Sequence, residues 1–119
     1  MTAPHLLEGR LGERLACRFL MKQGFDILAR RYCGQWGEVD LIGLEGGVLV
    51  FIEVKTRKTR EYGDAWEFVD WKKQQSFRRA AEEFIARKNL GGYAYRFDIV
   101  AVIAAGTRSE EISLYRNAF

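Results

Sequence analysis

Two adjacent segments, 37–44 (GEVDLIGL) and 48–55 (VLVFIEVK), hold the side chains best suited to chemistry. The second is apolar from Val48 to Ile52, then offers Glu53 and Lys55, an acid and an amine two residues apart. A carboxylate on a strand buried on both faces is costly unless a cation or hydrogen-bond donor compensates it. Gly46 and Gly47 suit a two-residue hairpin, because the favoured turn needs positive φ at both central positions. Glu45 then faces Val48, and counting back sets Asp40 opposite Glu53, Glu38 opposite Lys55 and Ile42 opposite Phe51. Alternation predicts that all six side chains leave one face of the sheet. Facing carboxylates repel, so the pair calls for positive charge: Lys55 first, a divalent metal ion next. The plain alternative is a salt bridge where the strand meets solvent. A slip of one residue would send Asp40 to the other face.

The elements that must position these groups follow from periodicity. Residues 9–23 carry Leu11, Leu15, Ala16, Phe19 and Leu20 at helical spacing, with Gly24 as the stop. Glu13 lies at the margin of that stripe, partly inward. Residues 25–32 alternate as a strand, and 71–88 form a second helix whose stripe is Phe77, Ala80, Ala81, Phe84 and Ile85. Extended backwards, the stripe reaches Lys73 and Gln74, polar residues in the first turn. Strands follow at 93–103 and 112–115. This order predicts an α/β domain in which two helices flank a mixed sheet.

With 119 residues the chain is expected to be a single domain, 1–119. Its formal charge of +3 permits a polyanionic partner, carried by local patches at most. Arg57, Lys58 and Arg60, with Tyr62 and Trp66 behind them, combine cations for phosphates with rings that stack on bases. A solvated basic loop is the plainer reading. Cys17 and Cys33 are too few for a zinc site, and Cys17 reads as a small buried thiol. Pro4 and the only histidine, His5, fall in what reads as an N-terminal tail, which leaves a Ser-His-Asp arrangement without a base. No phosphate-binding Gly-rich loop ending in Lys-Ser/Thr occurs. With no long apolar stretch, the expected setting is cytoplasmic, with no membrane partner.

Gly12-Glu13-x-x-Ala16, the 37–42 and 50–57 segments, Val69-x-x-x-Lys73-Gln74, Arg96-Phe97-Asp98-Ile99-Val100 and Asn117-Ala118-Phe119 together resemble the YraN-like family of small bacterial proteins. That family is similar in turn to the restriction-endonuclease-like, PD-(D/E)xK superfamily and to archaeal Holliday-junction resolvases. The resemblance implies a three-layer α/β/α fold with a central mixed sheet. It also implies a nuclease requiring Mg²⁺ or Mn²⁺ and acting on nucleic acid, DNA favoured and branched forms included. Asp40 would be the motif's aspartate and Glu53-Val54-Lys55 its acid-x-lysine, although Val39 replaces the proline that names the motif. By the same analogy, Asp40, Glu53 and the Val54 carbonyl hold the metal. Lys55 would orient the nucleophile, Glu13 act through water or a second ion, and Gln74 or Lys73 close the site. Arg57, Lys58, Arg60 and Lys73 would bind the nucleic acid, and resolvase-like relatives suggest a homodimer. The rivals are a non-catalytic nucleic-acid-binding module of the same fold, and a structural domain whose acids form a salt-bridge network.

Overall fold

The computed structural model describes residues 4–59 and 70–119, with side chains from Gly9 onward. The elements are α1 (Pro4–Lys22), β1 (Asp26–Cys33), β2 (Glu38–Glu45), β3 (Val48–Arg57), α2 (Trp71–Arg87), β4 (Ala94–Ile103) and β5 (Glu111–Tyr115). Sheet order is β1-β2-β3-β4-β5, parallel only between β3 and β4. A parallel pair needs a crossover connection, and α2 lies in the one that joins β3 to β4. Each sheet face is buried under one helix. Ala16, Cys17 and Leu20 of α1 meet Leu41, Val50, Ile52, Val100 and Val102 on one side. Phe77, Ala80, Ala81 and Phe84 of α2 meet Val39, Ile42, Leu49, Phe51 and Phe97 on the other. This is the expected three-layer α/β/α arrangement, restriction-endonuclease-like in architecture.

Helix α1 begins five residues earlier than periodicity indicates, so Pro4 and His5 belong to a helix rather than a tail. Proline is well tolerated at a first helical position, where its missing N–H would be unpaired anyway. Cys17 is buried, as expected, and Cys33 is exposed. Arg60, Tyr62 and Trp66 lie outside the described residues.

The hairpin forms as read. Gly46 and Gly47 have φ of 56° and 81°, and Glu45 pairs with Val48. A third glycine is needed for a different reason. A Cβ on Gly37 would sit 2.8 Å from the Ser76 carbonyl oxygen, which is helix backbone and cannot swing aside. Gly37→Ala is therefore expected to push the β1–β2 turn off α2 and cost about 1–3 kcal/mol, read by urea denaturation.

Candidate active site

The site grows from a fork in the sheet. The β2–β3 ladder runs from Glu45↔Val48 to Leu41↔Ile52 and stops. Strand β3 stays paired to β4 as far as Arg57↔Ile103, so residues 53–57 have one edge free of the β2 ladder. The expected pairing of Ile42 with Phe51 is present, whereas Asp40 with Glu53 and Glu38 with Lys55 are not ladder partners. Alternation also fails at this point. Val39 and Ile42 both pack on the α2 side, and Leu41 between them packs on the α1 side. Strand β1 skips in step: Ala29 and Tyr32 both face α2. Arg31, which the register sets opposite Asp40, has a φ of 50°. The expectation of six side chains on one regular face is thus corrected: the strands twist apart where the acids begin.

The break brings the acids together by another route. Asp40 Oδ2 accepts the Val54 backbone N–H at 2.7 Å, a donor the continued ladder would have offered to Val39. N–H and C=O of one strand residue point to the same side, so the Val54 carbonyl also faces this opening. Asp40 is pushed up to about 7, chiefly by burial and then by the charge of Glu53, against the Val54 N–H that lowers it. The Glu13 charge and a hydrogen bond with the Glu53 side chain raise it further.

Glu53 is buried, and two amines reach its Oε1: Lys73 Nζ at 3.0 Å and Lys55 Nζ at 3.5 Å. Lys73 is placed by the start of α2, where Asp70 caps the helix by accepting the Lys73 backbone N–H at 2.7 Å. Gln74 follows in the same turn, half-buried, its backbone N–H donating to the Asp70 carbonyl. Glu13 comes from α1, which closes on β3 at Gly12, where a Cβ would collide with Thr56. Its carboxylate accepts from Arg31 Nε at 2.7 Å.

Asp40, Glu53, Val54, Lys55, Lys73 and Glu13 therefore converge, and Gln74 is the next residue of α2 after Lys73. Of the described cations expected to track a nucleic acid, Arg57 and Lys58 lie together, apart from Lys73. Arg57 and Lys58 line a separate depression with Thr56, Ala104, Ala105 and Thr107, and Lys73 is engaged by Glu53. Arginines on α2 are occupied too, Arg78 over the Phe97 ring and Arg79 over Trp36. Sequence reasoning missed Arg31, read only as a strand residue. Its signal was the Arg30-Arg31 pair on a strand whose partner carries Asp40.

Among the described residues no group of three or more His, Cys, Asp or Glu side chains forms a metal cage. Mg²⁺ does not need one, since one or two carboxylates and several waters hold it. Two close carboxylates, one of them raised to about 7 by burial and then by the other's charge, together with an inward carbonyl, fit a hard divalent cation. They do not fit a structural zinc site.

Fold and site together define a restriction-endonuclease-like α/β domain with an acidic pair and flanking lysines at a fork in its sheet. The chain belongs to the uncharacterised protein family UPF0102, whose model matches residues 12–102. It is 40% identical over 111 residues to a UPF0102 protein of Alkaliphilus metalliredigens, covering 93% of this chain and 96% of that one. A UPF0102 protein of Pelotomaculum thermopropionicum is 40% identical over 120 residues, covering 100% of both chains. One of Caldicellulosiruptor bescii is 42% identical over 113 residues, covering 93% of this chain and 95% of its own length.

Proposed function

We propose that this chain is a divalent-metal-dependent nuclease that hydrolyses phosphodiester bonds in nucleic acid, DNA before RNA. The observation that carries this reading is the convergence of the half-buried Asp40 with the buried Glu53 at the Val54 backbone, beside Lys55. Mg²⁺ or Mn²⁺ held by Asp40, Glu53 and the Val54 carbonyl would supply an acidified water and a polarised phosphate. The protein supplies the rest. Lys55, tied to Glu53 on a rigid strand, presents its ammonium beside the reacting phosphate and offsets charge that builds in the transition state. Lys73 lies on the other flank of Glu53, half-exposed, where it can exchange the carboxylate for a phosphate oxygen. Glu13 keeps Arg31 turned towards the site, and Gln74 offers an amide at its margin. Among the described residues no helix is long and apolar enough to cross a membrane.

The non-catalytic module draws on one observation of its own: two lysines already neutralise Glu53. Calorimetric titration of Mg²⁺ and Mn²⁺, paired with nicking of supercoiled plasmid, separates the two. The nuclease reading expects one saturable metal site and metal-dependent nicking, both lost in Glu53→Ala. Nucleic-acid binding with no turnover under either ion would favour the module.

A further inference from the structure

A groove runs between α1 and β1 and ends at Asp40. It consists of two adjoining cavities, of about 430 Å³ and about 320 Å³. They share Arg10, Glu13 and Arg31; the larger adds Arg14 and Arg30, and the smaller reaches Asp40. Arg10 and Arg14 stand one turn apart on α1, about 6 Å along its axis. Neighbours on a regular strand point to opposite faces. The left-handed backbone at Arg31 cancels that rule and lets Arg30 and Arg31 line the same groove. All four arginines are exposed. Only Arg31 has an ion-pair partner among the described residues, which is Glu13.

Resting on the nuclease reading, we propose that this groove is the track for the phosphate backbone of duplex nucleic acid, leading one strand to Asp40 and Glu53. Guanidinium groups grip phosphate bidentately, which suits them to such a track better than scattered lysines. The duplex form follows from what the groove lacks. Proteins that hold unpaired strands stack bases on aromatic rings, and no aromatic residue lines either cavity among the described residues. Such a surface reads backbone and leaves the bases paired, without regard to sequence.

Fluorescence anisotropy in metal-free buffer tests this, with a duplex of about 20 base pairs and its single strand, at salt from about 50 to 200 mM. The triple variant Arg10→Gln/Arg14→Gln/Arg30→Gln is expected to lower the slope of log K against log salt by about 2–3, near 0.9 for each phosphate no longer neutralised. Arg57→Gln/Lys58→Gln should lower it by less than about 1, and wild type should prefer the duplex. Should the triple variant fail to fold, Arg14→Gln and Arg30→Gln singly should each remove about 0.9. An unchanged slope, tighter binding of the single strand, or no duplex binding would overturn the track. Duplex binding through these arginines without metal-dependent cleavage would sink the nuclease reading alone. Cleavage with an unchanged slope would sink the track alone.

Discussion

Asp40→Asn is expected to raise the stability of the metal-free protein at pH 8 while sharply weakening metal binding and cleavage. The two effects have one cause. Asp40 is half-buried beside Glu53, and its proton is held up to about 7 by burial first and by the neighbouring charge second. In the unfolded chain it titrates near 4. A carboxyl whose folded pKa is raised stabilises the fold only while protonated. That contribution is complete below about pH 4 and is lost as pH rises through about 7. At pH 8 the native protein thus carries an unfavourable charge that the unfolded chain does not feel. Asparagine keeps the shape, an oxygen to accept the Val54 N–H, and an amide to donate to Glu53. The expected gain is about 2–3 kcal/mol, from roughly 1.4 kcal/mol per unit of displaced pKa with allowance for relaxation. Urea denaturation from pH 4 to 8 should show wild type weakening across that window and the variant staying nearly level.

Added Mg²⁺ should reverse the ranking at pH 8. A ligand bound only by the folded state stabilises it in proportion to the logarithm of its concentration over Kd, and only wild type offers two carboxylates. Cleavage by the variant should fall about 10³-fold, matching the several kcal/mol of charge stabilisation a bound metal provides. If Asp40→Asn instead destabilised the metal-free protein at pH 8, the acids would be a satisfied salt-bridge network. The metal reading would lose its physical basis.

Local rules sufficed for the hairpin, for both helix stripes and for the sheet, because each is stated by spacing over short stretches. Gly46-Gly47 sets the register down to Leu41↔Ile52, as the turn chemistry required. The departure at Asp40 was not legible in the same way. Alternation assumes that a strand stays paired, and the departure arises from two strands twisting together at Arg31 and Asp40. Neither residue announces it, since Arg is not a usual choice for a left-handed backbone. The two acids stand out in the sequence, but the neighbour that holds Asp40 is a backbone N–H. The amine nearest Glu53 comes from α2, about twenty positions on. Capping by Asp70 starts α2 locally, but the reach of Lys73 to Glu53 is a tertiary contact. Likewise, adjacent basic residues near position 57 suggested a binding loop, whereas the groove beside the acids is lined by arginines from α1 and β1.

Asp98→Ala should damage the fold severely, costing about 3–5 kcal/mol, yet it should leave the site intact wherever the protein remains folded. Asp98 is fully buried and looks, in the sequence, like a third acid for the site, one position before the residue paired with Glu53. Its face excludes that role. Val100 and Val102 of the same strand pack on the α1 side, so alternation puts Asp98 there, whereas Glu53 reaches the α2 lysine. Its oxygens are also spent: Arg96 Nε donates to both, at 3.0 and 3.1 Å, and the Asn117 N–H donates to Oδ1 at 3.0 Å. Arg96 in turn binds Glu45, which Arg116 also grips and holds down to about 2. Truncation would leave a mostly buried guanidinium without its main partner and free the chain end that sets Phe119 against Phe97 and Phe77. Asp98→Asn keeps an acceptor for Asn117 and should cost about half as much. Urea denaturation gives the loss, and metal titration at 10 °C tests the independence. Weaker Mg²⁺ binding by folded Asp98→Asn would show that the two faces are coupled and that this acid serves the site after all.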